Sequence, residues 1–246
     1  MHRAQTNLDS MTVTRKLKAE LWKRFGSKEN PSEWDGNVYG GGKLSQRYWE
    51  YFKGAELLNL DENSVVLDIG GGSPVTGMGF FSALLGSVIK KVIIIDPNIH
   101  EHAVPQANVE FVRRNASYEE LKQLFQSRPG ITHVSCISVF EHIESEARNG
   151  IVRATNEFFD GESFVATLEF HSKVKFFDYQ LNTRTTSELF SHFTRFYPDE
   201  ICASPVLCEN AFDQARTFRI SRRSIFAALQ TPRWYPLAVR FVRVDS

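Results

Sequence analysis

The stretch from Ser64 to Asn98 constrains the fold more than any other part of the chain. It begins with a short apolar run, SVVLDI, which is typical of a strand buried on both faces. Three consecutive glycines at positions 70–72 follow directly. A second apolar run, KVIII, ends in Asp96. The order predicts a strand, a glycine turn, a helix and a second, parallel strand, which is a β-α-β unit.

The helix of this unit has two competing start signals. Ser73 followed by Pro74 predicts an N-cap and a first helical residue. Gly77 and Gly79 weaken the first turns, so a later start is the alternative. The apolar residues near position 80 predict the buried face, and Gly86 predicts the end.

The layout of this unit indicates a nucleoside-binding site. Backbone amides at a glycine turn and a helix N-terminus favour an anionic group, because they carry partial positive charge. A carboxylate at the tip of the next strand, here Asp96, can accept hydrogen bonds from both ribose hydroxyls. Dinucleotide sites usually carry G-x-G-x-x-G, whereas this chain has Val75 where the third glycine is expected. The pattern therefore disfavours a dinucleotide.

The segment Asp68-Ile69-Gly70-Gly71-Gly72 resembles motif I of the class I S-adenosylmethionine (SAM) dependent methyltransferases. The resemblance extends over about residues 64–221. It implies that the acidic residue at the strand end orders the methionine part of SAM. It also implies that the later acidic residue, Asp96, binds the ribose.

A second segment, Phe140-Glu141-His142-Ile143, resembles motif IV of small-molecule methyltransferases, near the transferred methyl group. The family's adenine-contacting turn usually reads Gly-Asp-Ala, and here Asn115 replaces the acidic residue before Ala116. The cofactor-binding residues implied by the resemblance are Asp68, Gly70, Gly71, Gly72, Asp96, Pro97, Asn115, Ala116 and Ser138.

The resemblance also implies the architecture. We expect an α/β, three-layer Rossmann-like fold with a mostly parallel seven-stranded sheet in the order 3-2-1-4-5-7-6. Residues 1–58 would form an N-terminal helical lid, 59–223 the SAM-binding domain, and 224–246 an extension packed on that domain. The last two strands are predicted near Ile201 to Leu207 and Gln214 to Ser221.

The acceptor site is predicted from the lid and from two histidines. Trp34, Tyr39 and Tyr48 give the N-terminal segment aromatic surfaces, and Glu141 would contact the acceptor beside them. A hydroxyl acceptor benefits from a general base, and His142 and His171 both follow strand ends. The alternative is that Glu141 and His142 only cap or pack the helix start.

The amino-acid composition restricts the classes of molecule that the protein is expected to bind. Lys plus Arg and Asp plus Glu both number 29, so the net charge is zero, which makes a nucleic-acid substrate unlikely. Only three cysteines, without the spacing of a metal site, no apolar run long enough for a membrane span and no signal core predict a cytoplasmic protein. His100 and His102 are read as surface residues, so no metal site is predicted.

The sequence thus predicts a SAM-dependent methyltransferase that acts on a hydroxyl of a small polar acceptor, such as a sugar or another metabolite. Two other classes stay open. One is a nicotinamide-dependent oxidoreductase, and the other is a catalytically silent, methyltransferase-like interaction protein.

Overall fold

The computed structural model describes residues 12–21, 42–171, 181–203 and 234–244. The helices are α1 (residues 12–21), α2 (Gly42–Leu58), α3 (Phe80–Gly86), α4 (Tyr118–Ser127), α5 (Ser145–Phe158) and α6 (Thr183–Ser191), and a 3₁₀ turn covers Phe140–His142. The strands are β1 (Val65–Ile69), β2 (Gly72–Ser73), β3 (Gly77–Met78), β4 (Lys91–Ile95), β5 (Val109–Val112), β6 (His133–Ile137), β7 (Ser163–His171), β8 (Leu181–Asn182), β9 (Phe196–Ala203) and β10 (Trp234–Arg243).

The main sheet runs in the order β5-β4-β1-β6-β7-β10-β9. Strands β5, β4, β1, β6 and β7 are parallel, and β10 is antiparallel to both of its neighbours. The short strand β8 pairs with β7, and β2 pairs with β3 in a separate small hairpin. Counted along the chain, the seven main strands follow the order 3-2-1-4-5-7-6, so the predicted Rossmann-like architecture is confirmed.

Helices cover both faces of the sheet because the central strands are apolar on both sides. Along β1 and β4, Val66, Val92 and Ile94 belong to the core cluster that contains the buried side chains of α1, α2 and α3. Their neighbours Leu67 and Ile93 belong to the second cluster, with the side chains of α4, α5 and α6. Successive residues of a strand point to opposite faces, so this alternation produces three layers.

The helix of the β-α-β unit starts later than Ser73 and Pro74 predict. The Ser73 hydroxyl accepts hydrogen bonds from the backbone amides of Val75 and Thr76, both at 3.2 Å, and so closes a turn instead of capping a helix. Helix α3 begins at Phe80, with Gly79 as its N-cap residue. Gly77 has a φ of +84°, which a helix does not allow, and this conformation explains the shift.

The last strand of the sheet comes from a segment that the sequence analysis treats as an extension. Strand β10 lies between β7 and β9, within the span predicted to pack on the domain from outside. The predicted strand near 214–221 lies outside the described residues. Ala238, Val239 and Phe241 are fully buried in β10, and Arg240 of the same strand pairs with Asp199. Hydrophobic residues interrupted by arginines thus form a sheet strand here.

The N-terminal helices are part of the core. The helical spacing of Leu17 and Leu21 predicts a helix over residues 13–25, which is confirmed as far as residue 21, and Val13, Leu17 and Leu21 are fully buried. The aromatic-rich segment from Lys43 to Leu58 also predicts a helix, and α2 confirms it. Within the described ranges, no helix has the length and apolar character needed to cross a bilayer.

Candidate active site

A crevice of about 1170 Å³ opens at the carboxyl ends of β1, β4 and β6. Strands β4 and β5 lie on one side of β1, and β6 and β7 lie on the other side. The chain therefore changes its direction of travel across the sheet at β1. In open α/β sheets the loops that leave the strands diverge at such a switch point, and ligands bind in the gap between them. Ile69, Gly70, Asp96, Asn115, Ser138 and His142 are among the lining residues.

Gly70 forms the sharp turn at the floor of the crevice. Its φ is +75°, and a Cβ atom at this position would lie 2.4 Å from Val139 Cγ2. The Gly70 amide donates to Ile95 O at 2.9 Å, which joins the ends of β1 and β4. Only glycine fits this conformation and this close approach, so the glycine requirement is steric as well as conformational.

Asp96 borders the crevice at the end of β4. Its carboxylate accepts hydrogen bonds from the Gly72 amide at 3.0 Å and from the Asn98 amide at 2.7 Å. The residue is 6% exposed. Each carboxylate oxygen has further lone pairs, so a fixed Asp96 can still accept from two ligand hydroxyls.

Asp68 is enclosed and is not among the residues that line the crevice. It lies beneath the glycine turn, 2% exposed, and accepts hydrogen bonds from Ser82 Oγ at 2.5 Å and Ser135 Oγ at 2.6 Å. Ser82 Oγ also lies 2.8 Å from Gly71 O. Burial raises the pKa of Asp68 to about 6, although the two hydroxyls lower it in part. Asp68 therefore supports the shape of the turn from below.

Four of the remaining predicted cofactor residues lie around the same crevice, whereas Gly71 and Gly72 are not among its lining residues. Pro97, Asn115, Ala116 and Ser138 all line it. Ser117 caps α4 by accepting from the Glu120 amide, as the capping-box pattern predicts. Ser138 has a φ of +53°, an uncommon conformation for a serine, at the point where β6 ends.

His142 lines the crevice with its side chain 58% exposed. It ends the 3₁₀ turn that follows β6, and its Nε2 atom lies 3.8 Å from Glu141 Oε1. The sequence predicts that Phe140 to Ile143 opens the helix after β6, but this segment forms a short 3₁₀ turn, and α5 begins only at Ser145. His171 ends β7, but the position of its side chain lies outside the described part of the structure.

Glu141 points inward, in contrast to His142. It is 3% exposed, and its carboxylate lies with those of Glu50 and Glu169 in one group. Burial raises the pKa of Glu141 to about 8, and the negative charge of Glu50 adds to the rise. Ser138 Oγ donates to Glu50 Oε1 at 2.9 Å, so this carboxylate group adjoins the crevice through Ser138.

The predicted aromatic acceptor contacts are not tested by the structure. Trp34 and Tyr39 lie outside the described residues, and Tyr48 lies in α2 at a position whose side chain is not described. Their role in the acceptor site stays a prediction.

Several site residues have no local signal in the sequence. Ser82 and Ser135 contact Asp68 from α3 and β6, and Glu50 and Glu169 meet Glu141 from α2 and β7. Each is an ordinary polar residue among apolar ones. A polar residue at an inward-facing position of a strand or helix is the signal that could have drawn attention to them.

The architecture is similar to that of solved methyltransferase structures. The chain is similar to a geranyl diphosphate methyltransferase solved in complex with SAM, with 10% identity and a TM-score of 0.52; the match covers 89% of this chain and 94% of that chain. The chain has the class I methyltransferase fold. It is also similar to a small RNA methyltransferase, with 12% identity and a TM-score of 0.51, over 90% of this chain and 27% of that chain.

At these identities the similarity shows the methyltransferase fold and leaves the acceptor open. No family model and no curated protein sequence matches the chain. The acceptor has therefore to be inferred from the chemistry of the site.

Proposed function

We propose that this protein is a SAM-dependent methyltransferase that binds SAM in the crevice beside Asp96. The observation that carries the proposal is the position of Asp96. It is a nearly buried carboxylate held by the Gly72 and Asn98 amides at the edge of a crevice at the sheet's switch point. This arrangement suits the two hydroxyls of a ribose, because a carboxylate can accept from both at once.

The other lining residues fit the rest of such a ligand. The turn at Gly70 presents bare backbone to the crevice, and Asn115 offers a side-chain carbonyl for an adenine amino group. The volume of about 1170 Å³ is ample for a ligand of this size. Asp68 acts here as a positioning residue for the turn, through Ser82 and Ser135.

When bound, SAM supplies a methyl group on a sulfonium that is already activated for transfer. The protein then has mainly to align the acceptor and remove its proton. His142 is suited to the second task, because its exposed imidazole lines the crevice next to the end of β6. We assign it as the base that accepts the proton of an acceptor hydroxyl, with His171 as the next candidate.

We propose a small polar acceptor, such as a sugar or another hydroxylated metabolite. The equal numbers of acidic and basic residues support this choice, since phosphate-rich substrates select basic surfaces. One similar structure is, by its name, a small RNA methyltransferase, so the exclusion of nucleic acid stays a prediction. Neither the oxidoreductase nor the silent interaction protein gains specific support from the described contacts.

Calorimetry with SAM and with S-adenosylhomocysteine tests this proposal. We expect saturable binding, and we expect Asp96→Ala to weaken it by about 1.5–3 kcal/mol through lost charge-assisted hydrogen bonds. Glu101→Ala is the matched control, because it removes an exposed carboxylate a few residues away. Absence of binding at millimolar ligand would refute the proposal, as would tight binding of a nicotinamide dinucleotide in place of SAM.

A further inference from the structure

Three glutamates from distant parts of the chain meet beside the crevice. Glu50 lies in α2, Glu141 in the 3₁₀ turn after β6, and Glu169 near the end of β7. One carboxylate oxygen from each residue lies within 4.8 Å of the others. Glu50 is fully buried, Glu141 is 3% exposed, and Glu169 is half-buried. Like charges at this spacing repel strongly where water is largely excluded.

Glu141 adds a second, independent observation. Both of its carboxylate oxygens are buried, and neither has a hydrogen-bond partner among the described residues. His142 Nε2 stands 3.8 Å from Glu141 Oε1, beyond hydrogen-bond distance. A buried carboxylate without hydrogen bonds is costly, so such a group usually coordinates a cation, pairs with a charge or takes up a proton.

Two polar groups near Glu141 donate hydrogen bonds to other acceptors. Ser138 Oγ donates to Glu50 Oε1. The guanidinium of Arg148 donates through Nη1 to the carbonyls of Phe140 and Ile143, at 2.8 and 2.7 Å. These bonds hold the 3₁₀ turn in place and so fix Glu141 in the direction of the other two carboxylates.

We propose that Glu50, Glu141 and Glu169 form a binding site for a divalent cation of the oxygen-preferring class, Mg²⁺, Mn²⁺ or Ca²⁺. Carboxylate oxygens are the ligands that these hard cations favour, and the described set contains no sulfur or nitrogen ligand that would select zinc or copper. No carboxylate cluster is evident in the sequence, so no metal site is predicted from it. The three glutamates are far apart in the chain and meet only in the folded structure.

The bound cation would join three elements at one end of the molecule. It would tie α2 to the end of β7 and to the turn that carries His142, next to the lining residue Ser138. Cation binding then stabilises the position of α2 against the sheet. This inference concerns the cation alone and does not depend on methyl transfer.

Manganese binding to the full chain tests the site, with paramagnetic resonance to count bound Mn²⁺ and thermal unfolding to measure its effect. We expect one saturable site in the wild type and a higher melting temperature with Mn²⁺, Mg²⁺ or Ca²⁺ than in chelator. Glu141→Gln should weaken Mn²⁺ binding at least about 100-fold, because a neutral amide replaces a charged ligand. Glu101→Gln, at an exposed carboxylate outside the group, is the control and should bind Mn²⁺ as the wild type does.

The two states of the site predict opposite effects of the same substitution. In chelator at a pH above 8, where Glu141 is ionised, Glu141→Gln should melt above the wild type, because a buried charge next to two others has been removed. In saturating Mn²⁺ it should melt below the wild type. Glu169→Gln, at the half-buried position, provides a second variant and should lose the Mn²⁺ effect in the same way.

Two results would overturn the proposal. One is the absence of saturable Mn²⁺ binding to the wild type at millimolar concentration, which would mean that the carboxylates share protons instead. The other is a cation-dependent rise in melting temperature that is equal in the wild type, Glu141→Gln and Glu169→Gln.

Discussion

Two aspartates end neighbouring strands of the sheet, and their surroundings give them different roles. Asp68 accepts from two serine hydroxyls beneath the glycine turn, where burial raises its pKa to about 6. Asp96 accepts from two backbone amides at the edge of the crevice. The residue that supports the turn is thus enclosed, and the residue that can meet a ligand stays at the surface of the crevice.

His142 is the residue on which the proposed proton transfer depends. We expect His142→Ala to lower turnover on a hydroxyl acceptor by about 10²–10⁴-fold, with SAM affinity nearly unchanged, because the imidazole removes a proton and does not hold the cofactor. Turnover across pH and calorimetry with SAM measure the two effects. His102→Ala, at an exposed position, is the control. Full turnover of His142→Ala would transfer the role to His171.

His133 makes the stability of the protein depend on pH. It is 3% exposed, and burial lowers its pKa from 6.5 to about 4. Between these values the unfolded chain binds more protons at this residue than the folded chain, so its contribution to stability falls as pH falls. Asp68 has a raised pKa and acts in the opposite direction over nearly the same range. The pH dependence of stability in the wild type alone would therefore not reveal the contribution of His133, because Asp68 offsets it.

The variant His133→Asn separates the two contributions. We expect the unfolding free energy of the wild type to decrease between pH 7 and pH 4.5 by about 2 kcal/mol more than that of His133→Asn, because burial lowers the pKa of His133 to about 4 in the folded protein. Urea unfolding at the two pH values measures this difference, and any constant effect of the substitution cancels. Equal decreases in both proteins would show that His133 is not held neutral.

The packing of helices α1 and α2 shows whether the N-terminal segment belongs to the folded core or is a detachable lid. Val13, Leu17 and Leu21 of α1 are fully buried in the cluster that also contains Trp49, Leu57 and Leu58 of α2. A fully buried leucine contributes about 1.5–3 kcal/mol. The two helices are therefore part of the folded core.

Leu17→Ala tests this packing. We expect it to lower the unfolding free energy by about 2–5 kcal/mol, because it removes buried methyl groups and leaves a cavity. Arg15→Ala, on the exposed side of the same helix, should change it by less than about 0.5 kcal/mol. Chemical denaturation of the three proteins makes the comparison. A similarly small change in both variants would mean that α1 is only loosely attached.

At the scale of the whole molecule, the sheet is completed by the end of the chain. Strand β10 pairs with β7 from Trp234 to Val242 and with β9 from Leu237 to Arg243. Phe241 stacks on Phe193 with ring centroids 4.0 Å apart and also contacts Phe164 and Phe190 edge to face. Without β10, strands β7 and β9 would lose the strand that lies between them. The cluster of aromatic rings would lose Phe241, which contacts the other three rings.

Removal of residues 234–246 should therefore prevent cooperative folding. Burial of a large apolar side chain contributes about 1.5–3 kcal/mol to the free energy of unfolding. The sum over the buried side chains of β10 is a large part of the total for an ordinary domain, which is about 5–15 kcal/mol. We expect the truncated protein to lack a cooperative thermal transition by circular dichroism, whereas removal of residues 245–246 alone should leave the transition unchanged. A folded 1–233 protein would show that β10 is dispensable.

The sequence by itself determined the β-α-β unit, the glycine turn and the position of Asp96 at a strand end. These features follow from local rules: apolar runs form buried strands, glycine permits a sharp turn, and Ser117 caps the helix that follows it. The class of fold was implied by the resemblance of residues 68–72 to motif I of the class I methyltransferases, and the structure and its comparisons confirmed it.

Only the tertiary structure decided which distant residues meet. The start of α3 at Phe80, the insertion of β10 between β7 and β9, and the approach of Glu50, Glu141 and Glu169 each depend on contacts between segments far apart in the chain. Sequence periodicity reports which face of an element is buried, but it does not report the partner against which that face packs. The proximity of the three carboxylates beside the crevice is therefore evident only from the structure, in which α2 packs against the sheet.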